Sequence, residues 1–203
     1  MNPDHRVVLG VGEGGKKRVS GTDRNIAKLP IGQDVLYFCV STVRVPEDAH
    51  APLRRRAEDV REAFVLVLDD VGTKSAVPPV APSYILQTSV KDGVPNHQYG
   101  YLLEPFDVST PAGQAYYDAC LVAAAAVGIN DAGMRSATRV ARMPGALHKT
   151  GFVASLVSWN PERVWDLPGL ASGLGLEPER YISEVRQLEG GFRALDDVQD
   201  SVA

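Results

Sequence analysis

Cysteine is scarce in this chain. Cys39 and Cys120 stand far apart and neither CxxC nor HxxxH spacing occurs, which excludes a disulfide framework and a structural zinc finger. Long hydrophobic runs are missing too: nothing approaches the roughly 18–20 apolar residues of a membrane span, and Met1–Arg6 lack the apolar core of a secretory signal. A cytoplasmic protein without a membrane partner is expected. No Ser/His/Asp or Cys/His arrangement stands out, so covalent nucleophilic catalysis has no candidate. Neither sign of charge dominates, with 21 Lys and Arg against 25 Asp and Glu and a formal net charge of -4. An acidic partner such as nucleic acid would therefore have to be gripped by local basic patches. What is present is enough for one domain: at 203 residues and 44% hydrophobic, the chain can bury roughly 70% of its unfolded surface.

The charge is unevenly placed. Residues from Glu177 onward carry most of the net negative charge, whereas Ala132–Thr150 hold Arg135, Arg139, Arg142 and Lys149 with no acid, just after Asp131. Three segments follow from this and from the hydropathy pattern: a basic, Gly-rich N-terminal segment over 1–34, a core over 35–176, and a C-terminal helix with an acidic tail or linker over 177–203.

Within the core, Val35–Val40 (VLYFCV) and Phe64–Leu68 (FVLVL) are short apolar runs of strand character. The second delivers Asp69 and Asp70 at its C-terminal end. Leu53, Ala57 and Val60 recur at spacings of three and four, which predicts an amphipathic helix over Glu47–Ala63. Ser83–Thr88 and Gln98–Glu104 predict two strands joined by a long loop, Ser89–His97. Thr110 as N-cap, Pro111 at the first position and Gly128 as stop delimit a helix. Gly151–Ser158 predicts a late strand and Glu177–Leu188 a surface helix. Strands and helices mix without strict alternation, so the fold class is α+β.

Three patterns could carry chemistry. Gly10–Lys16 satisfies GxxxxGK, but Lys17 stands where a P-loop needs a hydroxyl and Val19–Thr22 do not open a helix. Asp69 and Asp70 offer hard oxygen ligands for a divalent cation. Because neighbours on a strand face opposite ways, both can serve one site only where the strand ends or bulges between them; the alternative is an acidic turn. Finally, Arg139, Arg142, Pro144, Gly145, His148 and Lys149 make a basic run with a turn, Arg139 and Arg142 being spaced to share a helix face. Such a run suits a triphosphate.

Taken in order, Leu68-Asp69-Asp70-Val71-Gly72-Thr73-Lys74, Pro82-Ser83-Tyr84 to Thr88-Ser89, Asn96-His97-Gln98-Tyr99, Asp131 and the R-x-x-R-x-P-G-x-x-H-K run over 139–149 resemble the archaeo-eukaryotic primase superfamily. The likeness is greatest to RepB-like primase-polymerase domains of phages and plasmids and covers roughly residues 35–160. It implies a two-lobed core with an RRM-like mixed or antiparallel sheet flanked by helices. It also implies template-directed nucleotidyl transfer in DNA replication, with two divalent ions, Mg2+ or Mn2+, and nucleoside triphosphates as substrates. By the same resemblance Asp69, Asp70 and Asp131 are the catalytic metal ligands. Ser89, His97 and Gln98 fall on the nucleotide-binding motif, and Arg139, Arg142, His148 and Lys149 grip the triphosphate. The chain departs from the family in having adjacent acids where DxD is commonest, in offering both His97 and Gln98 for one place, and in carrying His148 where asparagine is expected.

The implied partners are single-stranded template, primer-template and a helicase domain or protein. Lys16, Lys17, Arg18, Lys28 and Arg54–Arg56 are available for the backbone, with Tyr99 and Tyr101 as stacking surfaces. Two other readings stay open: a catalytically inactive replication-initiator or origin-binding module on the same fold, and a degenerate P-loop ATPase.

Overall fold

The computed structural model describes residues 5–13, 16–22, 31–32, 35–48 and 53–186. Among these, nine strands join one sheet: β1 (His5–Glu13), β2 (Lys16–Thr22), β3 (Val35–Arg44), β4 (Val60–Val71), β5 (Tyr84–Lys91), β6 (Val94–Asp107), β7 (Val140–Arg142), β8 (Ser155–Trp159) and β9 (Val164–Trp165). The main path runs β2-β1-β3-β4-β6-β5-β8, with β7 beside β3 and β9 beside β6. Every pairing is antiparallel except β6 with β9. With helices α1 (Pro111–Ala126) and α2 (Leu167–Gly173), this is the expected α+β class, built on a mostly antiparallel sheet.

The sheet forks at β3. One edge of β3 pairs along its length with β1. On the other edge Tyr37–Cys39 pair with β7, while Ser41 and Val43 pair with β4. β4 therefore leaves β3 as it runs toward Asp69, and β7 takes the vacated edge. Across the fork, a β6 side chain bonds to the basic strand β7, as described below.

The apolar run at 64–68 forms the middle of β4, where Val65, Leu66, Val67 and Leu68 are all buried, as a strand covered on both faces requires. Gly-Asp chemistry closes the β5–β6 hairpin. Asp92 and Gly93 have φ of 51° and 80°, the left-handed pair of a two-residue hairpin turn. The long loop expected over Ser89–His97 is thus almost wholly strand, with Ser89 opposite Asn96. The strand expected over Gly151–Ser158 is formed from Ser155 to Trp159.

The amphipathic helix expected over Glu47–Ala63 is absent from the described part of that segment. Leu53–Arg56 are irregular, a turn covers 57–59, and Val60 opens β4. The Asp59 carbonyl accepts the Arg44 N–H at 2.8 Å and Arg55 Nη1 donates to the Thr138 carbonyl at 2.5 Å, so pairing with neighbouring segments overrides a short helical period. The expected helical face shared by Arg139 and Arg142 is also replaced, since residues 140–142 pair with β3 as β7.

Helix α1 begins as its sequence dictates. Thr110 Oγ1 accepts the Gly113 N–H at 3.1 Å, Pro111 follows, and Gly128 leaves the helix at a φ of 79°. Tyr117, Cys120, Leu121 and Ala124 face the main core, and Tyr117 donates its hydroxyl to the Val65 carbonyl at 2.8 Å. The other face, Ala115, Ala119 and Val122, packs under Val185. The described part of the expected C-terminal surface helix, a 3-10 turn over Pro178–Tyr181 continuing helically to 186, exposes Ser183, Glu184 and Arg186 and covers α1 through Val185. The acidic tail beyond 186 lies outside the described residues. No helix among them is long and apolar enough to cross a membrane.

Candidate active site

β4 ends in a corner. The β4–β6 register shifts between Leu68 and Val71, Asp70 adopts a φ of 59° and Gly72 a φ of 88°. A left-handed aspartate is uncommon and is sustained here by local bonds. The Asp70 carbonyl accepts the N–H groups of Thr73, Lys74 and Ser75 at 3.0–3.2 Å, and Ser75 Oγ donates to the Asp69 carbonyl at 3.1 Å. β4 thus bulges at the two acids before pairing again at Val71, the condition under which adjacent side chains escape strict alternation.

Each acid is oriented from outside its own turn. Asp70 N–H donates to Asp69 Oδ1, and Asp69 N–H donates to Asn130 Oδ1, both at 2.9 Å. Since Asn130 precedes Asp131, this bond ties the third aspartate's loop to the end of β4. Asp70 is fixed by Asn96, whose Nδ2 donates to Asp70 Oδ1 at 2.8 Å while its Oδ1 accepts from Thr73 Oγ1 at 2.6 Å. The second Asp70 oxygen accepts from the ammonium of Lys74. Asn96, Asn130 and Lys74 were not singled out by sequence reasoning for these roles. Their signal was adjacency alone, each lying within or beside a segment that carries a candidate residue.

The two neighbouring carboxyls are driven apart electrostatically. Burial raises the pKa of Asp69; the Asp70 N–H and Arg142 oppose that shift, whereas the charges of Asp70 and Asp131 add to it. Burial also disfavours charge on Asp70, but the hydrogen bonds from Lys74 and Asn96, with the charges of Lys74 and Lys91, outweigh it and lower the pKa. Lys74 is itself held protonated by its bond to Asp70 and by the fields of Asp131 and Asp69. One exposed ammonium thus sits in the common field of all three aspartates.

Among the described residues no three Asp, Glu, His or Cys side chains are gathered into a ready metal cage. The donor atoms available, carboxylate oxygens, are of the type a hard divalent cation takes, and the charges of Asp70 and Asp131 act on Asp69.

Across the fork, Gln98 closes the gap between β6 and β7. Its Oε1 accepts the Arg142 N–H at 3.0 Å and its Nε2 donates to the Arg142 carbonyl at 3.2 Å and to the Tyr84 hydroxyl at 3.1 Å. Gln98 is buried and its amide is engaged within the protein. The Tyr84 ring can lie against the sheet because residue 100 is glycine; a Cβ there would stand 1.9 Å from Tyr84 Cε1. Arg142, so placed, lies with its guanidinium carbon 5.6 Å from the centre of the Tyr37 ring. His97 alternates away from Gln98 and meets Tyr99 edge-on, with ring centres 6.5 Å apart.

The basic run turns back beside this strand. Pro144 and Gly145 form a turn, with Gly145 at a φ of 80°. His148 Nδ1 lies 2.8 Å from Thr150 Oγ1, and burial together with the charges of Arg142 and Lys149 lowers its pKa. Asp131 Oδ2 accepts the Gly133 N–H at 3.1 Å, and a Cβ at Gly133 would stand 2.7 Å from that oxygen and 3.9 Å from Arg139 Nη2, so both side chains approach this glycine on one side. Lys149 and Arg139 are exposed, whereas Ser89 is buried opposite Asn96.

Of the remaining sequence candidates, Tyr101 is fully buried with its hydroxyl on the Val80 carbonyl at 2.9 Å, so it is not a stacking surface. Tyr99 is half-buried, and Arg54 and Arg56 are exposed. Lys28 and the Gly14-Gly15 pair lie outside the described residues. The glycine-rich segment runs from β1 into β2, so a strand stands where a P-loop requires a helix.

No known protein-family profile and no curated protein matches the sequence. Two solved structures resemble the chain. The AEP domain of the cyanophage S-2L primase-polymerase (PrimPol) matches with a TM-score of 0.56 and 16% identity, over 83% of this chain and 88% of that one. The primase RepB′ matches with a TM-score of 0.51 and 14% identity, over 96% of this chain and 64% of that one. What the three share is an archaeo-eukaryotic primase-like fold.

Proposed function

We propose that this chain is a DNA primase-polymerase that transfers nucleotidyl groups in phage or plasmid DNA replication, on a two-lobed core whose sheet serves as an RRM-like platform. The observation that carries the reading is the fork, which sets the Asp69–Asp70 corner and the Asp131 loop against Arg142 and the basic turn that follows it.

Asp69, Asp70 and Asp131 would hold two ions of Mg2+ or Mn2+. Bound there, the metal would supply Lewis acidity to a primer 3′-hydroxyl and neutralise a pyrophosphate leaving group. The chain's own residues do the positioning. Asn96 and Asn130 orient the corner and the Asp131 loop. Gln98 fixes the Arg142 backbone so that the guanidinium is presented from a set place, and Arg139, His148 and Lys149 add charge around a triphosphate. His97 would meet the nucleotide from the same hairpin, and Ser89, buried opposite Asn96, would support it from within. Exposed Arg54, Arg56 and Lys149 offer phosphate contacts for single-stranded template and primer-template, and a helicase is the partner that such an activity would serve.

Primer extension with Mg2+ or Mn2+ tests this reading. Wild-type chain is expected to extend a primer, and Asp70→Ala or Asp131→Ala to lose that activity by at least about a hundredfold, the scale of losing transition-state charge stabilisation. Extension by either variant at the wild-type rate overturns it. Calorimetry with Mg2+ and a deoxynucleoside triphosphate separates it from a non-enzymatic replication-initiator module, which needs neither.

A further inference from the structure

We infer that Lys74 is a displaceable counter-cation of the acidic corner, occupying Asp70 in the metal-free chain and released from it when a divalent ion binds. The inference rests on the proposed function and concerns how its site is kept ready.

Three features distinguish this pair from an ordinary surface salt bridge. First, the Lys74 backbone is fixed while its side chain is free to leave. Thr73, Lys74 and Ser75 all donate to the Asp70 carbonyl, yet the Lys74 side chain is 62% exposed and bonds only through its tip. Second, Asp70 does not depend on the lysine for its orientation. Its other oxygen is held by Asn96, and Asn96 is buried and buttressed by Thr73 and Thr88, so the carboxylate stays aimed after the ammonium departs. Third, the ammonium lies in the field of Asp131 and Asp69 as well as Asp70, so it offsets part of the repulsion among the three acids. A divalent ion carries twice the charge and takes several oxygens at once, which lets it win that position, and Lys74 can swing into solvent without moving the turn.

Competition of this kind has a definite signature. Removing the lysine removes the competitor, so metal binding is strengthened. A lysine that were itself a phosphate ligand would leave metal affinity unchanged and affect nucleotide affinity alone.

The experiment is calorimetric titration of the full chain with MnCl2 in the absence of nucleotide, for wild type, Lys74→Met, Lys74→Arg and Asp70→Asn. We expect Lys74→Met to bind Mn2+ about fivefold more tightly than wild type at low salt, with the gap narrowing as salt rises. Lys74→Arg, which keeps the cation, should stay near wild type. In thermal melts Lys74→Met should lose stability without metal and gain more than wild type on adding Mn2+, which also shows that the variant folds. Equal or weaker Mn2+ binding by Lys74→Met, alongside wild-type binding that Asp70→Asn abolishes, overturns the role of the lysine and leaves the metal site standing. Absence of Mn2+ binding by wild type and Lys74→Met alike overturns the metal reading and this inference with it.

Discussion

Gln98 pairs with the backbone of Arg142 through both ends of its amide, at 3.0 Å and 3.2 Å, as a peptide group would in a strand. The side chain thereby supplies the rung that the forked sheet lacks between β6 and β7. Together with the β3–β7 pairing it holds the Arg142 backbone, and Arg142 lies near enough to Asp69 for its charge to oppose the rise in that carboxyl's pKa.

Replacing Gln98 tests that rung. Gln98→Ala should cost about 2–3 kcal/mol, since it leaves two backbone groups of Arg142 and the Tyr84 hydroxyl short of partners in a buried place. Gln98→Glu, which keeps the acceptor but cannot donate to the Arg142 carbonyl, should also destabilise. Denaturant unfolding gives the stability. Triphosphate affinity, measured where both variants remain folded, should fall with the displacement of Arg142.

Asn96→Ala should remove the bond that aims Asp70. A loss of about 1.5–3 kcal/mol is expected, the scale of a hydrogen bond to a charged group, with the bonds to Thr73 and Thr88 lost alongside it. The Asp70 carboxyl should titrate closer to its ordinary value, because one of the two hydrogen bonds holding it down is gone. Carboxyl titration by NMR reads this directly. An unmoved Asp70 would mean that Lys74 alone sets its charge.

The pH dependence of stability should show two opposed contributions. Asp69 has a raised pKa, so between 3.8 and that higher value the native state keeps a proton which the unfolded chain has lost, and stability falls as pH climbs through the window. Asp70 has a lowered pKa, so its contribution is present above 3.8 and is lost as pH falls through the folded value. Asp69→Asn deletes the first effect while keeping an oxygen for the Asp70 N–H. At neutral pH it should therefore melt higher than wild type, by a stabilisation of about 0.5–2 kcal/mol, and fail in primer extension. Thermal melts across about pH 3–8 separate the two acids.

Gly100→Ala should be among the most damaging single-methyl additions in the sheet. The new Cβ would stand 1.9 Å from one Tyr84 ring carbon and 2.1 Å from another, so the ring must lift and take its hydroxyl from Gln98. About 1–3 kcal/mol is expected for overpacking of this kind. Adding Tyr84→Ala to Gly100→Ala should recover part of it, a coupling that a double-mutant cycle measures.

How far the sequence discloses this molecule depends on the range of the forces at each place. Thr110, Pro111 and Gly128 act within a turn or two of themselves, and α1 begins and stops where they indicate. The Asp92-Gly93 pair closes its hairpin for the same reason, and the fully apolar 64–68 run could only be a covered strand. Segment 53–60 reads as a helix by its spacing, but its conformation is decided by β3 and by the Thr138 carbonyl, partners far along the chain that no local pattern reveals. Arg139–Arg142 mislead in the same way, because strand pairing with Tyr37–Cys39 sets their backbone. At the site, residue types and order single out the acids and the basic run as candidates. The amides that orient them, Asn96, Asn130 and Gln98, act across the fold, where sequence proximity carries no record of distance.

The reversed backbone hand at Asp70 has a wider consequence. Two acids separated by a spacer reach one side by following a straight ribbon, whereas here a kink falls at two consecutive acids and interrupts the alternation that would send them to opposite faces. Chains built this way would slip past any search that insists on a gap between the two letters. Restoring that gap by inserting a residue after Asp69 would turn the second carboxylate away from Asn96 and Lys74 instead of repairing a motif.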